Sequence, residues 1–218
     1  MLMSTTSVAQ HLGLTRRRVT ELARGGSIEA QQIHGGRWLI DSQAVARYRL
    51  SGPVTGRPWN PEVAWAIVVA LSSGNAASDR VARRIKENSA EIIALQISRL
   101  IKVEYYQARS VAENSALLTV TAESAVDRIG LNLVGTGPVV HAYVTVDNWQ
   151  NLLDAVPYSE GNLAVYSWRD SGSTVEFSLP LPLIAIDCTR SSNTRVRAAG
   201  ITYLAEQRKQ WLAKNTIS

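Results

Sequence analysis

The stretch that decides the N-terminal fold runs from Thr6 to Leu50 and begins TSVAQHLGLTRRRVTELARGG at residues 6–26. Its apolar residues recur at helical spacing on either side of Gly13. Glycine ends helices well because it adopts positive φ without steric cost. Thr15 can begin a second helix by accepting a hydrogen bond from a backbone N–H that the helix leaves free. The pattern therefore predicts a helix, a tight turn and a second helix.

The second helix is predicted to bury one face and to expose a basic one. At roughly 100° per residue, Val19, Leu22 and Ala23 lie on the inner face. The outward face and its flanks carry Arg16, Arg17, Arg18, Thr20, Glu21 and Arg24. A protein core cannot hold that many guanidinium groups, whereas a DNA groove is flanked by anionic phosphates. The helix is therefore predicted to lie in a DNA groove, and a solvated helix face is the alternative.

After Gly25-Gly26 the pattern changes from helical to extended, in the sequence SIEAQQIHGGRWLID at residues 27–41. Residues 28–33 and 37–40 are predicted to form a hairpin with Gly35-Gly36 in its turn. Asp41 can then cap a third helix over residues 42–50. A helix, a turn, a helix, a two-stranded wing and a helix together make a winged helix-turn-helix over residues 1–50.

This order of elements resembles the small excisionase and MerR-type DNA-binding domains. The resemblance rests on SVAQHLGLT at residues 7–15, RRRV at residues 16–19 and GGRWLID at residues 35–41. It covers about a quarter of the chain, and it implies double-stranded DNA as the partner.

The expected DNA contacts lie on the second helix and on the wing. The residues predicted to bind DNA are Thr15, Arg16, Arg17, Arg18, Thr20, Arg24, Arg37 and Trp38. Arg17 and Thr20 lie near the start of the second helix, where side chains reach the base edges of the major groove. Arg37 and Trp38 lie in the wing and are expected to contact the DNA backbone or the minor groove.

The charge distribution supports this division of the chain. Residues 1–57 contain eight arginines, no lysine and three acidic residues, so this segment carries a net charge of +5. Residues 58–218 contain fifteen basic and fifteen acidic residues and are neutral. The net positive charge of the whole chain therefore belongs to the predicted winged helix, which is typical of a DNA-binding head on a domain that need not touch DNA.

Beyond the head, the composition predicts a linker and a second domain. Residues 51–60 are rich in glycine and proline and form the linker. Residues 61–218 form a mixed α/β domain, which is helical over 61–101, rich in strands over 102–187 and closed by a helix over 193–214. The fold class is therefore α+β, with an N-terminal winged helix-turn-helix followed by a mixed α/β C-terminal domain.

Several elements are predicted within the strand-rich segment. A short helix over Ala122–Ile129 ends at Gly130, and another helix covers Trp149–Val156. Residues 161–168 and 174–179 make a hairpin. The apolar run Leu181–Asp187 that follows is interpreted as a buried strand. In the helical segment, the basic residues of Arg80–Lys86 are either a solvated helix face or a second nucleic-acid contact.

The sequence shows no catalytic or metal-binding constellation. The three histidines, His11, His34 and His141, lie far apart and lack partners at metal-ligand spacing. Cys188 is the single cysteine, so we expect no internal disulfide, a cytoplasmic location and an inert core thiol. The longest apolar run, Val63–Leu71, is shorter than the ~20 residues of a membrane span. We therefore expect no enzyme activity, no cofactor, no metal ion and no membrane partner.

The C-terminal part resembles the antitoxins of the AbiEi type over roughly residues 110–210. The resemblance rests on residues 149–156, on GNLAVY at 161–166, and on LPLIAID at 181–187 followed by NTRVRAAG at 193–200. It implies a transcriptional repressor that binds its own promoter and that neutralises a nucleotidyltransferase-like toxin encoded by the adjacent gene. Dimerisation, as a homodimer, and ligand sensing are the alternative tasks for this domain.

Two other functions remain open at this point. An excisionase-like recombination or architectural factor would use the same head to bend DNA. A metal-dependent nuclease would need clustered carboxylates, which the sequence does not display.

Overall fold

A computed structural model of the chain describes residues 2–33, 35–42, 44–45, 48, 58–109, 111–112, 115–132, 137–145, 148, 156–157, 161–168, 179–191 and 193–215. The architecture is mixed α/β, with a helix-turn-helix at the N-terminus, as the sequence predicts. Among the described residues, separate hydrophobic clusters serve the two parts of the chain. One gathers residues from Met3 to Tyr48, and the largest gathers residues from Trp59 onward. A smaller cluster in the second part is formed by Ala108, Val111, Leu118, Ala142 and Leu163.

The described residues of the N-terminal part begin with two helices and a three-stranded antiparallel sheet. Helix α1 is Thr5–Leu12 and α2 is Arg16–Arg24. The strands are β1 (Leu2–Ser4), β2 (Ala30–Ile33) and β3 (Arg37–Asp41), in the order β1-β3-β2. The hairpin of β2 and β3 is confirmed, but β1 is an addition that the sequence pattern does not predict. It extends the two-stranded wing by pairing Met3 with Ile40.

Local signals fix the ends of α1 and α2 as predicted. Gly13 ends α1 with a φ of 67°, and Thr15 caps α2 because its Oγ1 accepts a hydrogen bond from the N–H of Arg18 at 3.2 Å. Val19 and Leu22 of α2 are buried against Val8 and Ile40. Large apolar side chains each contribute roughly 1.5–3 kcal/mol when they are buried in this way.

The third predicted helix is confirmed at the residues that the structure describes. Ser42, Ala44, Val45 and Tyr48 are helical. Ala44 and Val45 are buried in the N-terminal core. The remaining residues of 42–50, and the first seven residues of the predicted linker, lie outside the described residues.

The C-terminal part contains the helices α3 (Pro61–Ser73), α4 (Asp79–Glu87), α5 (Ala90–Ser98), α6 (Leu181–Cys188) and α7 (Thr194–Asn215). Asn60 begins α3, because its Oδ1 accepts a hydrogen bond from the N–H of Glu62 at 2.8 Å and Pro61 needs no partner for its nitrogen. The predicted final helix at 193–214 is confirmed as α7. No helix among the described residues is both long and apolar enough to span a bilayer.

The strands of the second sheet are β4 (Ile101–Gln107), β5 (Leu118–Val120), β6 (Val140–Val144), β7 (Val156–Pro157) and β8 (Leu163–Trp168). They are arranged in the order β5-β6-β8-β4-β7. β6 and β8 run parallel, and the other pairs are antiparallel. The short helix predicted over Ala122–Ile129 is present as a 3-10 segment that ends at Gly130.

The prediction of a strand over Leu181–Asp187 is wrong, because these residues form α6. Pro182 lies in the first turn of this helix, where its missing N–H costs nothing. Every residue of the helix from Pro182 to Cys188 is buried. A short run that is apolar on all sides carries no period, so the sequence cannot separate a buried helix from a buried strand.

Two further predictions, the helix over residues 149–156 and the hairpin of residues 161–168 and 174–179, fall partly outside the described residues. Val156 belongs to β7, so the helix predicted over 149–156 cannot include its last residue, and residues 149–155 lie outside the described residues. In the second arm of the predicted hairpin, residues 174–178 also lie outside the described residues, and Leu179 is described. The first arm of the hairpin is β8, which is bordered by β4 on one side and by β6 on the other.

Candidate nucleic-acid interface

The outward face of α2 presents its arginines to solvent. Arg16, Arg17, Arg18 and Arg24 are exposed, while the opposite face of the helix packs into the N-terminal core. The helix has nine residues and is therefore roughly 13.5 Å long, and the ~10–12 Å diameter of an α-helix fits the ~12 Å width of the major groove of B-DNA. The structure thus places the predicted arginines on the one face of α2 that is free to meet DNA.

Glu21 organises two of these arginines. Its Oε1 accepts a hydrogen bond from Arg17 Nε at 3.1 Å, and its Oε2 accepts one from Arg18 Nη1 at 3.5 Å. The hydrogen bond from Arg17 holds the pKa of Glu21 below its ordinary value. The side chain of Arg17 is nevertheless 90% exposed and that of Arg18 is 54% exposed. Both guanidinium groups are therefore oriented by the helix and remain open to a phosphate or a base.

The two threonines of the predicted set have local hydrogen bonds. Thr15 is exposed, and its hydroxyl oxygen serves as the cap of α2. Thr20 is half-buried and donates its hydroxyl to the carbonyl of Arg16 at 3.0 Å. A hydroxyl oxygen keeps acceptor capacity while it donates, so Thr20 can still accept a hydrogen bond from a base.

The wing presents Arg37 at its tip. Arg37 is exposed and pairs with Ile33 across the hairpin, and Trp38 is half-buried opposite Gln32. The turn is made by Gly35 and Gly36, whose φ angles of 82° and 72° are in the left-handed region that favours glycine. Arg37 is the first residue of β3 and therefore lies at the tight turn of the hairpin, at one end of the N-terminal sheet.

A family model described as a helix-turn-helix domain matches residues 2–52. The N-terminal part of this chain is a DNA-binding helix-turn-helix domain. The match begins at β1 and includes α1, α2 and the wing, so it spans the whole N-terminal core. No match was found among the curated proteins or the solved structures. The resemblance of the C-terminal part to antitoxins therefore remains a prediction.

The predicted DNA-binding residues form one set on the helix-turn-helix domain. Six of them lie on α2 or at its start, and Arg37 and Trp38 lie on the wing. Their individual roles remain predictions. Sequence reasoning placed Glu21 on this face without recognising that it orients Arg17 and Arg18, although the i, i+3 and i, i+4 spacing is a signal that could have shown it.

The basic segment Arg80–Lys86 forms most of α4. Arg80 and Arg83 are exposed, whereas Arg84 lies over the ring of Trp59 at 5.3 Å from its centroid. A guanidinium on an indole face stabilises the fold by a cation–π contact. Arg84 therefore has a structural contact within the fold, and the segment lies in the electrically neutral part of the chain.

The polar residues in the C-terminal core form a closed cluster. Asp187 is fully buried and accepts hydrogen bonds from Thr121 Oγ1 at 2.6 Å and from Tyr143 Oη at 3.4 Å. Burial raises its pKa to about 7, against the opposing effect of these hydrogen bonds. His141 Nδ1 lies 3.0 Å from Tyr166 Oη, and burial lowers the pKa of this histidine. Asp187, Tyr143 and Tyr166 of this cluster lie inside the C-terminal core.

The other residues considered for chemistry are isolated. Cys188 is fully buried, and burial raises its pKa well above the ordinary value, which keeps the thiol protonated and unreactive. Among the residues that the structure describes, no group of three or more His, Cys, Asp or Glu side chains is placed to hold a metal ion.

Proposed function

We propose that this protein is a sequence-specific transcriptional repressor that binds its own promoter. In the proposed complex, α2 lies in the major groove and Arg37 of the wing contacts the flanking backbone. The observation that carries the proposal is the exposed face of α2, where Arg17 and Arg18 are oriented by Glu21 and backed by a buried apolar face. A repressor acts where the chromosome is, so we also propose that the protein works in the cytoplasm.

Binding to the DNA upstream of its own gene tests this proposal. We expect fluorescence anisotropy to show tight binding that weakens steeply with salt, by a log–log slope of about −0.9 for each phosphate neutralised. The double variant Arg16→Ala/Arg17→Ala should lose most of the affinity. The matched control is Arg80→Ala/Arg83→Ala, which removes the same charge from α4 and should bind like the wild type. A salt-insensitive complex, or equal losses in both variants, would contradict the proposal.

We further propose that the C-terminal domain neutralises a toxin from the adjacent gene. The resemblance of residues 110–210 to AbiEi-type antitoxins supports this role, as does the separate hydrophobic core of that domain. Co-expression with the adjacent gene provides the test. We expect the wild type to rescue growth, and Arg16→Ala/Arg17→Ala to rescue growth while failing to repress. If the adjacent gene is harmless alone, or the wild type gives no rescue, the protein is a repressor without an antitoxin role.

We propose a homodimer as the binding unit, since a dimer would contact two half-sites about 34 Å apart, one helical turn of DNA. Sedimentation of the protein with single and paired half-sites measures the number of protein chains bound to each DNA.

We also propose that the activity is binding and not catalysis. A supercoiled plasmid that carries the promoter should therefore stay intact when the protein is added with Mg²⁺ or Mn²⁺. Short promoter fragments should show no strong bend in a circular-permutation assay. Cutting would establish a nuclease, and a strong bend would favour an architectural factor.

A further inference from the structure

A cleft of about 450 Å³ lies between the helix-turn-helix domain and the C-terminal domain. One wall is the segment Gly26–Glu29, which links α2 to β2, together with Ala44 and Tyr48. The opposite wall is formed by α5, by the residues that follow α6, and by α7. Cavities of roughly 300–1,000 Å³ hold small molecules, and the interface between two domains is a common place for them. The proposed DNA contacts do not use this cleft.

The cleft is lined by more positive than negative charge. Three arginines, Arg99, Arg190 and Arg197, face two acidic residues, Glu29 and Glu91. Glu29 pairs with Arg190. Hydrogen bonds from Ser89 and from its own backbone N–H lower the pKa of Glu91. Both carboxylates are therefore engaged with groups of the protein, and the lining as a whole favours an anion.

Arg99 and Arg197 line the cleft without being part of the ion pair with Glu29. Arg99 is 9% exposed and donates from Nη1 to Gln96 Oε1 at 3.3 Å, and burial lowers its pKa. Arg197 donates from Nη1 to the carbonyl of Ser191 at 2.7 Å. Removing a guanidinium from water is unfavourable, and an anion beside it offsets that loss. A guanidinium has five N–H donors in a planar fork that matches the two oxygens of a carboxylate.

The remaining lining is apolar. Ile92 and Leu95 of α5 and Ile201 of α7 form one side, and Ile28 and Tyr48 lie on the other. Ile92 is 43% exposed, which is unusual for a large aliphatic side chain in the described part of this protein. Contact with a hydrocarbon group would remove this apolar surface from water. The ligand that fits both features has an apolar body and one anionic end.

We propose that the cleft binds a small apolar monocarboxylate, with its carboxylate between Arg99 and Arg197 and its ring or chain on Ile92 and Tyr48. A free phosphate would satisfy the arginines but leave the apolar walls in water. A neutral aromatic molecule would cover the walls but make no charge-assisted hydrogen bond with the arginines. The site is separate from the DNA-binding face, so its existence does not depend on the proposed repressor function.

Calorimetric titration of the full chain tests the proposal without DNA. The probes are phenylacetate, indole-3-acetate and octanoate, each compared with its neutral amide. We expect at least one acid to bind about tenfold more tightly than its amide, because charge-assisted hydrogen bonds are the stronger ones. Ile92→Trp should fill the cleft and abolish binding. The matched control is Val69→Trp on α3, which changes a residue of similar exposure, 44%, outside the cleft.

A second pair of variants tests the anionic end of the ligand. Arg99→Met keeps the apolar stem and removes the guanidinium, so it should weaken the acid about tenfold and leave the amide unchanged. Arg195→Met is its control, since Arg195 is exposed on α7 and does not line the cleft. If Arg99→Met does not fold, the comparison of Ile92→Trp with Val69→Trp still tests the proposal, because both positions are exposed and tolerate a larger side chain better than the core does. Absence of acid binding, equal binding of acid and amide, or undiminished binding to Ile92→Trp would overturn the proposal.

Discussion

At the scale of single residues, the arginines of the winged helix are expected to perform different tasks. Arg17 lies near the start of α2 on its outward face, whereas Arg37 lies at the tip of the wing. A side chain that reaches a base edge affects specificity, and one that meets a phosphate affects affinity for every sequence. This difference separates the two positions experimentally.

The first prediction concerns Arg17→Ala and Arg37→Ala. Arg17→Ala should cost roughly 1–3 kcal/mol on the specific site and relax the preference at one base pair, because a bidentate arginine contact discriminates against the wrong base. Arg37→Ala should weaken specific and non-specific DNA alike. Competition binding against a library of single-base operator variants measures both effects. An equal loss of specific and non-specific affinity in Arg17→Ala would show that α2 is misplaced as the recognition helix.

The second prediction concerns the buried carboxyl of Asp187. Its pKa is raised from the ordinary value of 3.8 to about 7 in the folded protein, mainly by burial. Between these two pH values the folded state holds a proton that the unfolded chain releases. The free energy of unfolding should therefore fall as pH rises through this window, by up to about 1.4 kcal/mol per pH unit.

Denaturant unfolding between pH 4 and pH 8 checks the sign. Asp187→Asn cannot ionise, so its free energy of unfolding should lack this decline. The exposed Asp127→Asn is the control and should follow the wild type. His141 contributes the opposite trend, because its lowered pKa makes the folded state less stable as pH falls through the ordinary histidine range. That trend is common to all three proteins and cancels in the comparison. A parallel pH profile of Asp187→Asn and wild type would contradict the assignment.

At the scale of elements, the close contact of α6 and α7 depends on one glycine. A Cβ at Gly200 would lie 2.4 Å from the carbonyl oxygen of Ala185 and 2.9 Å from Cys188 Cβ. Both neighbours belong to α6, which is buried on every side. The third prediction follows from this contact. Alanine is the better helix former by up to about 1 kcal/mol, yet Gly200→Ala should destabilise the protein by about 1–3 kcal/mol, because the two helices must move apart.

Thermal unfolding of Gly200→Ala measures this effect, and a melting temperature several degrees lower is expected. Gly137→Ala serves as the control, because a Cβ at that residue meets no atom within 4 Å. An unchanged or higher melting temperature of Gly200→Ala would mean that α7 does not pack closely against Ala185 and Cys188 of α6 at this residue.

At the scale of the whole molecule, the ion pair of Glu29 and Arg190 joins the two parts of the chain. Glu29 follows α2 and pairs with Arg190, which follows α6. Arg190 also donates to the carbonyl of Ile101 at 3.0 Å and lies over the ring of Tyr166. The two side chains are only 16% and 11% exposed. A pair buried to this extent behaves differently from the exposed pairs on α2.

The fourth prediction is that Glu29→Gln destabilises the protein by about 3–5 kcal/mol, because it leaves the buried charge of Arg190 uncompensated. Denaturant unfolding measures the loss. Hydrogen exchange should increase at Gly26–Ile28, where the two domains meet. Glu21→Gln is the matched control, since it removes the carboxylate of an exposed ion pair and should change stability little. Equal effects of the two variants would show that the domains are not held together through Glu29.

The sequence by itself determined α1, α2 and the hairpin of the wing, because each of these elements carries a local signal. Thr15 caps α2, Gly13 ends α1, and Gly35-Gly36 permits the hairpin turn, whatever the rest of the chain does. The charge asymmetry between residues 1–57 and 58–218 belongs to the sequence in the same way. These features need only short-range geometry, and they were sufficient to predict a DNA-binding face.

Tertiary structure alone decided the features that join distant residues. The run Leu181–Asp187 is a helix that its surroundings bury on all sides, and a run that is apolar throughout has no period that would distinguish a helix from a strand. β1 pairs with β3 across about 35 residues, and Glu29 meets Arg190 across 161. The cleft between the domains takes its arginines from the residue after α5, from the segment after α6 and from α7, and it has no counterpart in any local pattern. Contacts of this kind are set by how the elements pack, and no window of sequence contains both partners.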